Sequence, residues 1–330
     1  MTSGKSGVLS AIHIMTAAAL LSALMPGIAA SQAYPNKPVR FIVPFGPGGP
    51  GDAVGRMIGR KLTESLGQPV IIDNRSGATT IIGTEIVAKS PPDGYTLLLI
   101  STTHAVNPSL FQKLPYDPIR DFAPITLITA TPFMLVVHPS VAATTVPELV
   151  ALAKTKPRQL NYGSSGNGSS IHLTTELLSA AARIEMTHVP YKGSGPAFID
   201  LIGGQINMLF SSTVSSLPHV KTGKVRGLAI TSLKRAPALP TTPTVSEYYP
   251  GFESSSWFGM LVPAKTPKAV VDRLLADTRA AIKSPDVNQA LVSQGAEPGG
   301  SSPAEFGAYF QSEIRKWGGV VKAAGIRMEQ

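Results

Sequence analysis

Short apolar runs alternate along the chain with stretches in which apolar residues recur every three or four positions. Val39-Arg40-Phe41-Ile42-Val43 reads as a strand, and after a Gly/Pro loop a helix begins near Asp52. Its apolar face is Val54, Met57, Ile58, Leu62 and Leu66, and Gly67 ends it. Residues 69–72 form the next predicted strand, 79–89 the next helix and 95–100 a third strand. This β-α-β-α-β order predicts an α/β fold with a mainly parallel sheet covered by helices.

The pattern repeats in a second setting. Residues 133–137 read as a strand closed by His138-Pro139, and 146–154 as a helix with Pro147 in its first turn. Strands follow at 160–162, 186–189, 206–210 and 225–230, with helices carrying Leu173, Leu177, Leu178 and Ala181, and then 196–202. The last third holds a strand at 257–262 and two long amphipathic helices. One presents Val270, Val271, Leu274, Leu275, Thr278 and Ile282; the other presents Phe306, Tyr309, Phe310, Trp317, Val320 and Val321. Faces that wide need a sheet to cover, and the first sheet lacks helices on one side. The chain is therefore expected to leave a first lobe near residues 132–139, build a second, and return near 257–263. That assigns 34–133 plus 258–330 to lobe 1 and 134–257 to lobe 2. Two crossings make a hinge, and ligand pockets favour the cleft between such lobes.

The first residues change the picture by giving a compartment. Lys5 precedes an apolar run from Val8 to Leu24, Pro26-Gly27 breaks it, and small residues follow up to Ala33. This is the order of a secretory signal, with cleavage expected after Ala33, export to the periplasm and a mature chain from Tyr34. No later run reaches the ~18 apolar residues of a membrane helix. The sequence has no cysteine, which excludes thiol catalysis, cysteine metal sites and disulfides. The formal charge of +9 is spread over separated clusters such as Arg56-Arg60-Lys61 and Lys154-Lys156-Arg158, and aromatics make up only 6%. Nucleic-acid binding is a poor reading of that pattern, and a modest field attracting anions is a better one.

Two glycine-rich loops carry the candidate chemistry. In Phe45-Gly46-Pro47-Gly48-Gly49-Pro50-Gly51-Asp52, the glycines match the dinucleotide spacing, but Pro47 and Pro50 remove amide donors from the loop. A loop whose remaining amides hold an anion at a helix N-terminus uses the same physics without a cofactor. Asp52 is either a group for a ligand amine or an acid complementing the helix dipole. In Gly163-Ser164-Ser165-Gly166-Asn167-Gly168-Ser169-Ser170, converging N–H groups and hydroxyls suit an oxyanion, or simply cap a helix. Neither loop contains Lys or Arg. Ser101-Thr102-Thr103 and Ser211-Ser212 sit just past strand ends, at the edge that faces the crevice in open α/β sheets, where plain capping is the alternative. No histidine spacing suggests a metal site, and no motif signature points to a catalytic triad, so neither metal nor cofactor is expected. The rival class is a periplasmic hydrolase using Ser165 with His172 or His188.

A series of ordered matches then resembles one family. Tyr34-Pro35-Asn36-Lys37-Pro38-Val39, Asn74-Arg75-Ser76-Gly77-Ala78, Pro92-Asp93-Gly94-Tyr95-Thr96-Leu97, Leu114-Pro115-Tyr116-Asp117-Pro118 and His188-Val189-Pro190-Tyr191-Lys192-Gly193 are similar to the Bug family. These are the extracytoplasmic receptors of tripartite tricarboxylate transporters. The resemblance implies a two-lobed periplasmic-binding-protein fold of the Venus-flytrap, type II-like kind, without catalytic activity, and a monomer is expected. It implies a carboxylate-bearing ligand (dicarboxylate, tricarboxylate, acidic amino acid or aromatic acid) and membrane transporter subunits as partners. The family's ligand loops correspond to residues 45–52 and 163–170; with the strand-end hydroxyls added, the expected ligand set is Phe45, Gly46, Gly48, Gly49, Asp52, Ser101, Thr102, Thr103, Ser164, Ser165, Gly166, Asn167, Ser169, Ser211 and Ser212. The chain departs from the family at Ser76, usually proline, and at Thr79-Thr80, usually smaller residues.

Overall fold

The parallel ladder expected near the start is present. The computed structural model describes residues 34–236 and 239–326, so the predicted signal segment and its cleavage point lie outside the described residues. Strand β1 (Val39–Val43) pairs in parallel with β2 (Val70–Asn74) and β3 (Thr96–Ser101). Helix α1 (Pro50–Leu66) joins the first two strands and stops at Gly67, whose φ of 67° supplies the left-handed cap. A 3-10 turn (Ala78–Thr80), α2 (Ile81–Ala88) and, after β3, α3 (Thr102–Leu110) complete this part.

Strand β4 (Phe122–Val137) is the spine of the molecule. It pairs antiparallel with β9 (Ser255–Pro263) as far as Pro132↔Ser255, then from Phe133 with β7 (Met208–Ser212) and β8 (Arg226–Ile230). Beyond β7 lie β5 (Asn161–Ser164) and β6 (Thr187–Pro190), in parallel. The intervening helices are α4 (Val146–Thr155), α5 (Ser170–Ala182), α6 (Ser194–Ile202) and α7 (Thr213–Lys221). After β9 come α8 (Lys268–Lys283), α9 (Pro285–Ser293), the short β10 (Glu297–Pro298) on β4, and α10 (Pro303–Ala323).

The sheets are thus parallel on the outside and antiparallel in the middle, for a geometric reason. Strands of both lobes point their C-terminal ends at the cleft. A strand leaving one lobe enters the other from the cleft side and must run against its new neighbours. β4 does this in the second sheet, and β9 does it in the first. The sequence expectation covered only residues 133–137 of β4; the part before them contains Pro124 and Pro132, residues uncommon inside a central strand. Register shifts near Pro124–Thr126 and Leu127–Thr129 accommodate the irregularity.

Packing follows the period of two. Phe133, Leu135 and Val137 enter one buried cluster, with Tyr162, Leu178 and Phe210. Met134 and Val136 enter another on the opposite face, with Phe198, Leu201 and Leu209. In the first lobe Ile42, Leu98 and Ile100 pack with Phe306, Phe310 and Trp317 of α10, so the terminal helices do cover the first sheet. The indole N–H groups of Trp257 and Trp317 both donate to Glu313 Oε2 at 2.9 Å, tying α10 to β9. Leu173 of α5 joins the same cluster, so this second-lobe helix also rests on the first lobe. No helix among the described residues is long and apolar enough to cross a membrane.

Candidate functional site

Three helices direct their N-termini at one cavity. Its volume is about 280 Å³, and it is lined by Phe45, Gly46, Gly49, Pro50 and Gly51 at α1, by Ser101, Thr102, Thr103 and Val106 at α3, by Gly168 and Ser170 at α5, and by Ser256 and Phe258 of β9. First-turn N–H groups such as those of Gly51, Thr102 and Ser170 have no intrahelical acceptor, so each helix end offers donors and a positive partial charge. A second cavity of about 400 Å³ shares Pro50, Ser256 and Phe258 with the first. It runs between Val54, Leu291 and Ala296 on one side and Phe133, Ile171, Ser194, Ser211, Ser212 and Val214 on the other. No Lys, Arg, Asp or Glu lines either one. A wider hollow of about 440 Å³ lies between Pro108 and Arg120, but a single stretch of chain makes it, so it is a crease rather than a meeting of elements.

The α1 loop is built around a ring and a clasp. Phe45 packs edge-on against Phe258, with centroids 5.8 Å apart, and its ring lies where a Gly51 Cβ would fall, at 2.5 Å. Gly48 has φ +81°, and its N–H donates to Asp52 Oδ2 at 2.9 Å. Asp52 is buried, and its carboxylate also accepts from Arg56 Nε at 2.9 Å and Asn74 Nδ2 at 2.9 Å. Its pKa falls to about 2, chiefly through the Arg56 hydrogen bond and then the Gly48 N–H. Asp52 therefore closes the loop on itself, and the exposed Gly48 stays outside the cavity lining with its amide already used.

At α3 the Ser101 hydroxyl accepts Thr103 N–H at 3.2 Å, and His104 Nδ1 accepts Ser101 N–H at 3.3 Å. His104 Nε2 therefore carries the proton and donates to Thr84 Oγ1 at 2.7 Å, and the Thr84 hydroxyl donates to Thr80 O at 2.9 Å. Burial pushes His104 down to about 3. Behind it Ala78, Thr79 and Thr80 hold φ of 44°, 53° and 76°, conformations that non-glycine residues resist. Asn107 Nδ2 holds this turn through Thr79 O at 2.8 Å. The sequence departure at Thr79-Thr80 thus sits on the strained turn.

The second loop has a ring stack beneath it. His172 and His188 lie parallel with centroids 3.8 Å apart, and Tyr162 stacks on His188 at 4.9 Å. His172 Nδ1 accepts Gly168 N–H at 3.0 Å, and His188 Nε2 bonds Ser164 Oγ at 2.6 Å. Burial lowers both histidines, His172 to about 4 with a further contribution from His188. Ser164 is fully buried and also bonds Gly166 N and O, so it shapes the loop from inside. Ser169 caps α5 by accepting His172 N–H. Ser165, Gly166 and the exposed Asn167 form the loop tip and line neither cavity. Neither histidine bonds Ser165, the pairing on which the hydrolase reading depended.

Of the residues singled out from sequence, Phe45, Gly46, Gly49, Ser101, Thr102 and Thr103 come together at the first cavity, and Ser211 and Ser212 at the second. Gly48, Asp52, Ser164, Ser165, Gly166, Asn167 and Ser169 stand behind or above the walls. Sequence reading missed Ser256 and Phe258, since a returning strand looked like hinge alone, and Leu291 and Ala296, which belong to a helix and a turn it did not predict. Ser101 and Ser212 prove to be helix caps and cleft residues at once. Among the described residues no group of His, Asp and Glu is arranged to hold a metal ion.

A model of the tripartite tricarboxylate transporter family receptors matches residues 54–326. The chain belongs to that family. Protein BugT of Bordetella pertussis is 37% identical over 92% of this chain and 95% of its own. A Rhodopseudomonas palustris protein solved with adipate is 39% identical, with a TM-score of 0.73 over 89% of this chain and 100% of that one. MatC from the same species, solved with bound malate, is 33% identical, with a TM-score of 0.70 over 87% of this chain and 100% of its own. The two-lobed architecture read from sequence is that of these solute-binding proteins.

Proposed function

We propose that this protein captures a small carboxylate-bearing solute between its lobes in the periplasm and presents it to the membrane subunits of a tripartite tricarboxylate-type transporter. The observation carrying the reading is the convergence of α1, α3 and α5 on one cavity whose lining has no Lys or Arg. Oriented N–H groups and hydroxyls from both lobes suit a carboxylate, and closing the cleft around it removes competing water. Relatives solved with adipate and malate support a dicarboxylate as the first class to try. In this reading 34–133 with 258–330 moves as one lobe and 134–257 as the other, and ligand favours the closed arrangement.

Thermal shift and calorimetry with adipate, malate, citrate and benzoate test it. At 100 times its dissociation constant a true ligand adds about 2.7 kcal/mol of stability. The ligand should be recovered chemically unchanged after incubation. No stabilisation by any of the four acids, or turnover of one, would overturn the reading.

A further inference from the structure

Two of the described helices that face the cleft, α3 and α5, carry a histidine where other described caps carry an acid. Away from it, three N-terminal caps use an acid at the third position to accept a backbone N–H. Glu148 takes Thr144 N–H at 2.6 Å, Glu247 takes Thr244 N–H at 3.0 Å and Glu305 takes Ser302 N–H at 2.7 Å. None of these lines either cavity of the cleft. At the cleft, the same third position of α3 and α5 holds His104 and His172. They reproduce both variants of the acid cap: His104 accepts from the capping residue, as Glu247 and Glu305 do, and His172 from the residue before it, as Glu148 does. The third cleft helix, α1, keeps an acid: Asp52 accepts Gly48 N–H from the residue before the cap, as Glu148 does, but there Arg56 pairs with the carboxylate and offsets its charge. At α7 the position is Ser215.

Building on the carboxylate reading above, we propose that His104 and His172 are positioning residues that brace the ligand-facing ends of α3 and α5 as neutral N–H acceptors, keeping a competing negative charge away from the bound anion. A glutamate could accept the same N–H, but it would set a formal charge against the ligand inside the closed cleft, where repulsion is weakly screened. The imidazole provides the acceptor lone pair without the charge. The groups facing His172 are His188 and Tyr162, with Glu176 bonded to the Tyr162 hydroxyl; His104 faces Thr84. Burial holds both rings neutral, His104 down to about 3 and His172 to about 4.

Glutamine and glutamate separate bracing from charge, since both can complete this cap. His104→Gln, His172→Gln, His104→Glu and His172→Glu are compared for urea midpoint and for affinity toward adipate and malate. Each glutamine variant should bind within about threefold of wild type. The glutamate variants should lose some urea midpoint, more at the deeply buried His104 than at His172, and each should bind at least about tenfold more weakly. Equal affinity of the Gln and Glu variants would overturn the charge argument. Nitrogen-15 shifts of the wild-type imidazoles at pH 7 should show both rings neutral, with Nδ1 unprotonated. A cationic ring or an Nδ1–H tautomer would overturn the bracing. A wild type that binds neither acid would count first against the proposed function and, with it, the charge argument, leaving the nitrogen shifts to decide the bracing. Binding by wild type with indistinguishable Gln and Glu variants would count against this inference alone.

Discussion

Asp52 illustrates how a residue can be essential to a site without facing it. Its carboxylate collects Gly48 N–H, Arg56 and Asn74, and so fixes a loop that has two prolines and few bonds of its own. The charged form is the one these partners favour, which is why its pKa sits near 2 rather than 3.8. A depressed pKa stabilises the fold fully above the unfolded value, and that contribution is lost as pH falls from 3.8 through about 2. Asp52→Asn should therefore lower the urea midpoint at pH 6, and the gap to wild type should close by about pH 2. A gap independent of pH would mean that the side chain acts by shape rather than by charge. The sequence suggested Asp52 as a ligand group or a dipole partner, but its clasp was hidden because Asn74 arrives from the end of another strand. His104 and His172 were hidden for a similar reason: cap spacing was legible, but a histidine in the acid's place carries meaning only once both caps prove to face one cavity.

Elements were more legible than their junctions. Strand cores and the two long C-terminal helices follow from apolar periodicity, because burial on one or two faces imposes it. The N-terminal half of β4 escaped, since proline usually excludes a central strand, and α3 and α7 escaped because Pro108 and Pro218 interrupt them. The crossing itself depends on Thr231, a fully buried residue that no pattern marks. Its hydroxyl accepts Phe133 N–H at 2.8 Å and also bonds Ser254 O, so one side chain links both chain crossings. Thr231→Val keeps the volume but leaves a buried N–H without its acceptor. It should cost about 1–3 kcal/mol in urea unfolding. A loss below roughly 0.5 kcal/mol would show that the ladder bonds alone hold the crossing.

At the scale of the whole molecule, charge and recognition are separated in space. The formal +9 includes Lys5 and is otherwise carried by side chains away from the cleft walls, where several are already paired, as Arg60 and Lys61 are with Asp286. The walls offer helix N-termini, hydroxyls and aromatic rings. These two contributions should respond differently to salt. The surface field steers an anion toward the cleft over distances that ions screen, with a Debye length of about 30 Å at 0.01 M and 3 Å at 1 M. Fixed dipoles inside a closed cleft act over a few ångströms, with little room for counter-ions. Raising ionic strength from roughly 10 mM to 500 mM should slow association several-fold while changing the off-rate by less than about twofold. Stopped-flow measurement of both rates with adipate reads the two effects separately. An off-rate that climbs steeply with salt would mean that a surface Lys or Arg folds over the bound ligand, and the division between a steering surface and a dipolar cleft would be wrong.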